Sequence, residues 1–262
     1  MAASVPDSRG SGFSTARVFS RAFGTIGANP LAALAIGLLF GVLLSEAYSY
    51  FSRSLLVSDL RHPFSAVSLG RRLAGEVVSW ICAFLVQGAF VGLASAYEAG
   101  RRPSFAEAAR AGAHMVFPLI ALGLIVGLAT TIGLVALIVP ALFLGVLWSV
   151  SAPVLVEERC GVIAALGRSS ALTQGARWQI FGIAVLVGVL EFIAGFAHGW
   201  VDARIFSGVG AHAFAPVVDR VVWAVFGTIF KTCSAAIFTS IYVELRNWKQ
   251  GTPEAVLAEI FA

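Results

Sequence analysis

Two charged side chains, Glu191 and Lys231, stand inside long apolar runs of this chain, and an amide, Gln87, stands in a third. A charge near the bilayer centre costs about 2.5–3.5 kcal/mol on insertion scales, so it turns to a bundle interior and takes a partner. Counted along their helices, Glu191 lies about 20 Å and Lys231 about 16 Å above the same membrane face. These similar depths predict a Glu191–Lys231 pair, either structural or lining a polar pathway or gate. The alternative for Lys231 is to snorkel towards the head groups. Gln87 reads first as an interhelical hydrogen bond, worth about 0.6–2 kcal/mol. Thr130 and Thr131 need only their own helix backbone as partner.

A second group, His62, His198, Asp202, His212 and Asp219, gathers towards the opposite face. His198 and Asp202 are spaced i, i+4, which suits a shared metal, but Gly199 lies between them and three loops would have to converge. Solvated loop residues are the expectation, and no metal site or cofactor is predicted. There is no His-Glu-x-x-His, Gly-x-Ser-x-Gly or Walker loop, and no pair of carboxylates in an apolar run. The cysteines Cys82, Cys160 and Cys233 are far apart and form neither a Cys-x-x-Cys pair nor a disulfide framework.

The elements that must position these residues follow from composition. Of 262 residues, 58% are hydrophobic and 12% charged, with a mean hydropathy of +0.88. Soluble domains carry about 25% charged residues, so this chain needs lipid around it. The net charge of +4 is spread thinly over short segments without interleaved aromatics, which excludes a nucleic-acid footprint and fits contact with anionic head groups.

A crossing takes about 20 apolar residues. Six such spans are predicted, at about 31–51, 73–97, 115–138, 141–156, 178–198 and 217–242. Asn29 is the expected N-cap of the first, with Pro30 at its opening position. Residues 111–156 carry no Asp, Glu, Lys or Arg and are too long for one crossing; Pro140 divides them. The chain is therefore all-α and polytopic, with residues 1–12 a disordered tail and 13–262 a single domain. With the N-terminus inside, the inner segments hold eleven Lys and Arg against six outside, which places both termini in the cytoplasm. The outer loop holding Arg53, Arg61, Arg71 and Arg72 is the one segment that opposes this bias.

Inner segments read as short amphipathic helices lying in the interface. One runs from Phe13 to Ile26, one from Ser104 to His114 with a Ser104–Glu107 capping box, one from Val162 to Thr173, and a fourth opens at Thr252-Pro253. The first three each lead into an odd-numbered span, which suggests a unit of one interfacial helix plus a two-helix hairpin, used three times. Glycine pairs at 37/41, 88/92, 123/127 and 195/199 allow close helix packing within the bundle.

The segment Ala165-Leu-Gly-Arg-Ser-Ser-Ala-Leu-Thr-Gln-Gly-Ala-Arg-Trp178 resembles a family of uncharacterised bacterial membrane proteins, whose domain also occurs fused ahead of some glycerophosphoryl diester phosphodiesterases. Phe13 to Pro30, Val139-Pro140, Ala152-Pro153-Val154 to Glu157, and Tyr242-Val-Glu-Leu-Arg246 match it as well. The resemblance implies a six-helix inner-membrane domain of unknown activity, without the soluble catalytic barrel of those fusions. Within the motif, Arg168 and Arg177 suit lipid phosphates and Trp178 suits the head-group layer. The expected function is a non-enzymatic organiser of a lipid or membrane-protein partner. The alternative is a transporter or channel-like protein working through Gln87, Glu191 and Lys231, and a lipid-modifying enzyme ranks third.

Overall fold

The computed structural model describes residues 12–55, 65–102, 104–136, 138–201 and 215–251. Residues 1–11, the segment from Thr252, the loop residues His62, Asp202 and His212, and the Glu107 half of the capping box lie outside what is described. Among the described residues there is no strand, and six helices are long and apolar enough to cross a membrane.

Helix α1 (Thr15–Ala28) starts at Ser14, whose hydroxyl accepts from the Arg17 amide at 3.4 Å. It ends at Asn29, which caps the next helix as the sequence predicts: Asn29 Oδ1 accepts from the Ala32 amide at 3.1 Å, with Pro30 at the first position. The first span is composite. It comprises α2 (Pro30–Ile36), a π-helical stretch (Gly37–Leu43) and α3 (Leu44–Leu55). The sequence gives no sign of the π stretch, a feature that in helices often marks a functional position.

The second span, α4 (Ala66–Glu98), is the most buried of the six and runs well past the predicted 73–97 at its start. After α5 (Phe105–Ala113), the third span α6 (Val116–Ala136) gives way to α7 (Ile138–Leu147), so the division falls close to Pro140 as expected. The fourth span is not one continuous helix over 141–156. It breaks at Trp148–Val150 and resumes as α8 (Ser151–Glu157). Hydroxyls take up carbonyls near the break: Ser149 donates to Val146 at 2.9 Å, Ser151 to Trp148 at 2.6 Å, and Ser169 to Leu147 at 2.7 Å. Satisfied carbonyls are what permits irregular backbone at membrane depth. Helix α9 (Val162–Thr173), the fifth span α10 (Arg177–Val201) and the sixth, α11 (Ala215–Gln250), complete the order.

The order of short helix followed by two spans therefore occurs three times, headed by α1, α5 and α9. Their docking follows one rule. Helix α5 packs on α4 and α9 packs on α8, each on the second span of the unit before it; α1 packs on α11 and closes the ring. Of the short helices, α1 and α9, with the ends of α4, α8 and α11 on the same side, carry the ion pairs described below. We refer to this side as the charged end.

Two of the glycine pairs set how close the spans come. A Cβ added at Gly123 would lie 2.7 Å from the Ile81 Cα, and one at Gly127 would lie 3.2 Å from the Val77 Cα, so α6 meets α4 backbone to backbone. Gly37 and Gly41 give room to Thr232 and to the stem of Lys231 on α11. Around Gly199, by contrast, nothing described lies within 4 Å.

Candidate functional site: an intramembrane cavity and a charged end

Gln87, Glu191 and Lys231, placed on three different spans by the sequence, line one cavity of about 700 Å³. Its walls come from α4, α6, α7, α10 and α11, and Glu76, Thr130, Thr131 and Ser149 add further polar groups. Along the helices, Gln87 lies about 16 Å from Glu98, Glu191 about 21 Å from Arg177, and Lys231 about 22 Å from Arg246. Glu76 lies about 33 Å from Glu98, near the far membrane face. Sequence reasoning passed over Glu76 because it sits at the edge of an apolar run. Its position eleven residues, about three turns, before Gln87 puts both on one helical face, and that was the available signal.

The expected Glu191–Lys231 pair is not a direct one. No ion pair within 4.0 Å joins them among the described residues, although Glu191 lies within the electrostatic reach of Lys231. Both face the cavity instead. Gln87 is buried and its Oε1 has no hydrogen-bond partner, so the interhelical bond predicted for it is not made at that atom. The stem of Lys231 passes Gly41, where an added Cβ would come within 2.7 Å of its Cδ, so the π-helical stretch bounds the lysine on the side away from the cavity. Thr130 behaves as predicted, donating to the Val126 carbonyl at 2.7 Å. Most remaining lining residues are apolar, among them Trp80, Phe84, Phe181 and Phe238. An apolar chamber with a few convergent polar groups is the usual form of a small-molecule site, and its size is in the usual range of about 300–1,000 Å³.

At the charged end a chain of ion pairs ties four elements. Glu244 on α11 is 3% exposed and receives Arg17 at 2.6 Å and Arg21 at 3.3 Å from α1. Arg21 also reaches Glu98 on α4 at 3.5 Å. Arg246 then joins Glu98 at 3.6 Å to Glu157 on α8 at 3.1 Å. The ends of α4, α8 and α11, the second spans of the three units, are thus held together by one guanidinium.

The head-group residues read from the motif are only partly available to lipid. Arg168 is engaged by Glu158 at 3.1 Å, and Arg177 lies over the Phe143 ring at 5.7 Å with a bond to the Ser170 carbonyl. Trp178 is exposed. Lys249 donates to the Ala171 carbonyl at 2.6 Å, satisfying the last turn of α9. The motif therefore docks α9 into the bundle, with Ser169 and Thr173 wholly buried. Ser169→Ala is expected to strand the Leu147 carbonyl and lower stability by about 1–3 kcal/mol. Thermal unfolding in detergent measures this, with Ser170→Ala, whose bond is local and exposed, as the neutral control. Burial, and to a lesser degree Glu158, push the neighbouring Cys160 thiol above its ordinary value, which makes it a poor nucleophile.

Of the histidine and aspartate group, His198 and Asp219 do meet, at 2.9 Å across α10 and α11, and the His198 ring lies 4.5 Å from the Trp223 ring, tilted 39° to it. The contact is close but lacks hydrogen-bond alignment, and it becomes an ion pair when the imidazole is protonated. No group of three potential metal ligands occurs among the described residues. The chain matches no family model, no curated protein and no solved structure.

Proposed function

We propose that this multi-pass protein binds an amphipathic small molecule or lipid inside its bundle and acts without catalysing a reaction. The observation that carries the reading is the convergence of Gln87, Glu191 and Lys231 on one largely apolar cavity. Unpaired charges at this depth are costly, so groups left facing a cavity ask for a polar ligand or for water. The resemblance to a bacterial inner-membrane family, together with the excess of basic residues on the charged end, supports a bacterial cytoplasmic membrane with that end inside.

Native mass spectrometry of the protein held in a patch of its own membrane tests the reading. A stoichiometric small molecule or single lipid species is expected, lost in both Glu191→Gln and Lys231→Met. A co-extracted protein with only unselective lipid would instead return the protein to the role of a scaffold. Transport is the second reading. It is favoured by the spread of polar groups from Glu76 to Gln87, with the ion pairs of the charged end as the closed side, and it requires both substitutions to abolish uptake in correctly inserted protein.

A further inference from the structure

The lining of the cavity carries the reading one step further, to the class of ligand; this step rests on the binding reading above. Leu142 on α7 and Val185, Val189 and Phe192 on α10 line the cavity and are exposed, and the cavity is open to the surroundings rather than enclosed. Helix α10 is the least enclosed span and meets its neighbours α7 and α11 only sparsely. The chamber is therefore continuous with the lipid face between α7 and α10, at the depth of Glu191. A ligand arriving by that route has to be soluble in the bilayer.

The polar groups define the other half of the ligand. An ammonium on Lys231 and a carboxylate on Glu191 lie at nearly equal depth, close enough to feel each other and too far apart to form an ion pair. Each is held on its own span, and no direct ion pair joins them. Both charges lie at membrane depth, Glu191 exposed along the cavity side of its span and Lys231 half-buried; a head group that carries both signs answers both at once, whereas a purely anionic or purely cationic one leaves one of them uncompensated. Gln87 adds an unpartnered buried carbonyl oxygen, which accepts a hydrogen bond and so favours an ammonium with N–H groups.

We propose that the cavity takes a single-chain zwitterionic amphiphile from the bilayer through the gap between α7 and α10. Its anionic group lies on Lys231, its primary ammonium lies between Glu191 and Gln87, and its chain lies along Leu142, Val185 and Val189. A cavity of about 700 Å³ favours one acyl chain over two.

The purified protein in mild detergent, titrated by native mass spectrometry, distinguishes the classes. The probes are lysophosphatidylethanolamine, lysophosphatidylglycerol and an alkylamine of equal chain length, with phosphoethanolamine as the chainless head group. Wild type is expected to bind one lysophosphatidylethanolamine about tenfold or more tighter than either singly charged probe, the size of one charge-assisted contact. Glu191→Gln should reduce that preference over lysophosphatidylglycerol to near unity, and Lys231→Met should remove the preference over the alkylamine. Val189→Trp, which fills the gap, should slow loading and leave thermal stability unchanged. Equal wild-type binding of the three amphiphiles overturns the zwitterion assignment while leaving the binding reading intact. Phosphoethanolamine binding as tightly as its acylated form overturns entry from the bilayer. No one-to-one binding of any probe, with a wild-type chain that also carries no native ligand, removes both readings together. The wild-type preference is decisive even if a variant fails to fold.

Discussion

Removing Arg17 and Arg21 together is expected to lower the stability of the detergent-solubilised protein by about 3–5 kcal/mol, the usual cost of stranding a buried charge. Glu244 is that charge. Its side chain is 4% exposed and both of its ionic partners come from α1. Either arginine alone is a weaker loss. The Arg17 side chain is 45% exposed and solvent screens its pairing, while Arg21 also serves Glu98. Single alanine variants should therefore each fall well short of half the double effect. Adding Glu244→Gln to the double variant should recover most of the loss, because the stranded group is then neutral. Thermal unfolding of the single, double and triple variants measures this. A double variant no weaker than its singles would mean that Glu244 reaches water by another route.

Gly123→Val is expected to prevent correct assembly outright. The Cβ it introduces would lie 2.7 Å from the Ile81 Cα and 3.1 Å from the Ile81 nitrogen, and neither atom belongs to a side chain that can swing aside. Helices α4 and α6 must separate, opening the most extensive helix contact in the bundle. Overpacking in a soluble core costs about 1–3 kcal/mol, and a backbone clash exceeds that range. The expected outcome is loss of the monodisperse peak in size-exclusion chromatography of extracted protein. Gly182→Val on α10, where nothing lies within 4 Å, should leave the peak in place.

Hydropathy made the six spans and the short helices between them legible, because transfer into lipid depends on the summed apolarity of about twenty residues and not on their neighbours. The Asn29-Pro30 cap was legible for the same reason of locality. What could not be read is who faces whom. Glu244 ends a long apolar run and looks interfacial, and its partners lie 227 and 223 residues away. Arg168 looks like a phosphate contact until Glu158 is seen beside it. The break at Trp148–Val150 lies in a stretch whose only warning is its serines, and these suit an intact helix as well. Of the cavity, depth along each span picked out Gln87, Glu191 and Lys231, since an intramembrane charge is conspicuous against its surroundings. Their rotational setting, which decides between a direct pair and a shared chamber, depends on helix packing that no local pattern encodes.

The ring of short helices has a consequence for how the protein is made. As the chain leaves the ribosome, α5 and α9 each follow directly on the span they dock against, so both can settle at once. Helix α1 is different, since its partner Glu244 is 227 residues downstream of Arg17. At synthesis rates of about 5–20 residues per second, that interval is about 11–45 s. Throughout it Arg17 has no carboxylate partner and Arg21 only Glu98 on α4, while the Val18 and Ala22 face lacks the α11 surface it packs on and has the membrane surface to rest on. Any nascent chain that stalls before α11 is inserted keeps that basic amphipathic helix on display, and completion of the last span is what removes it.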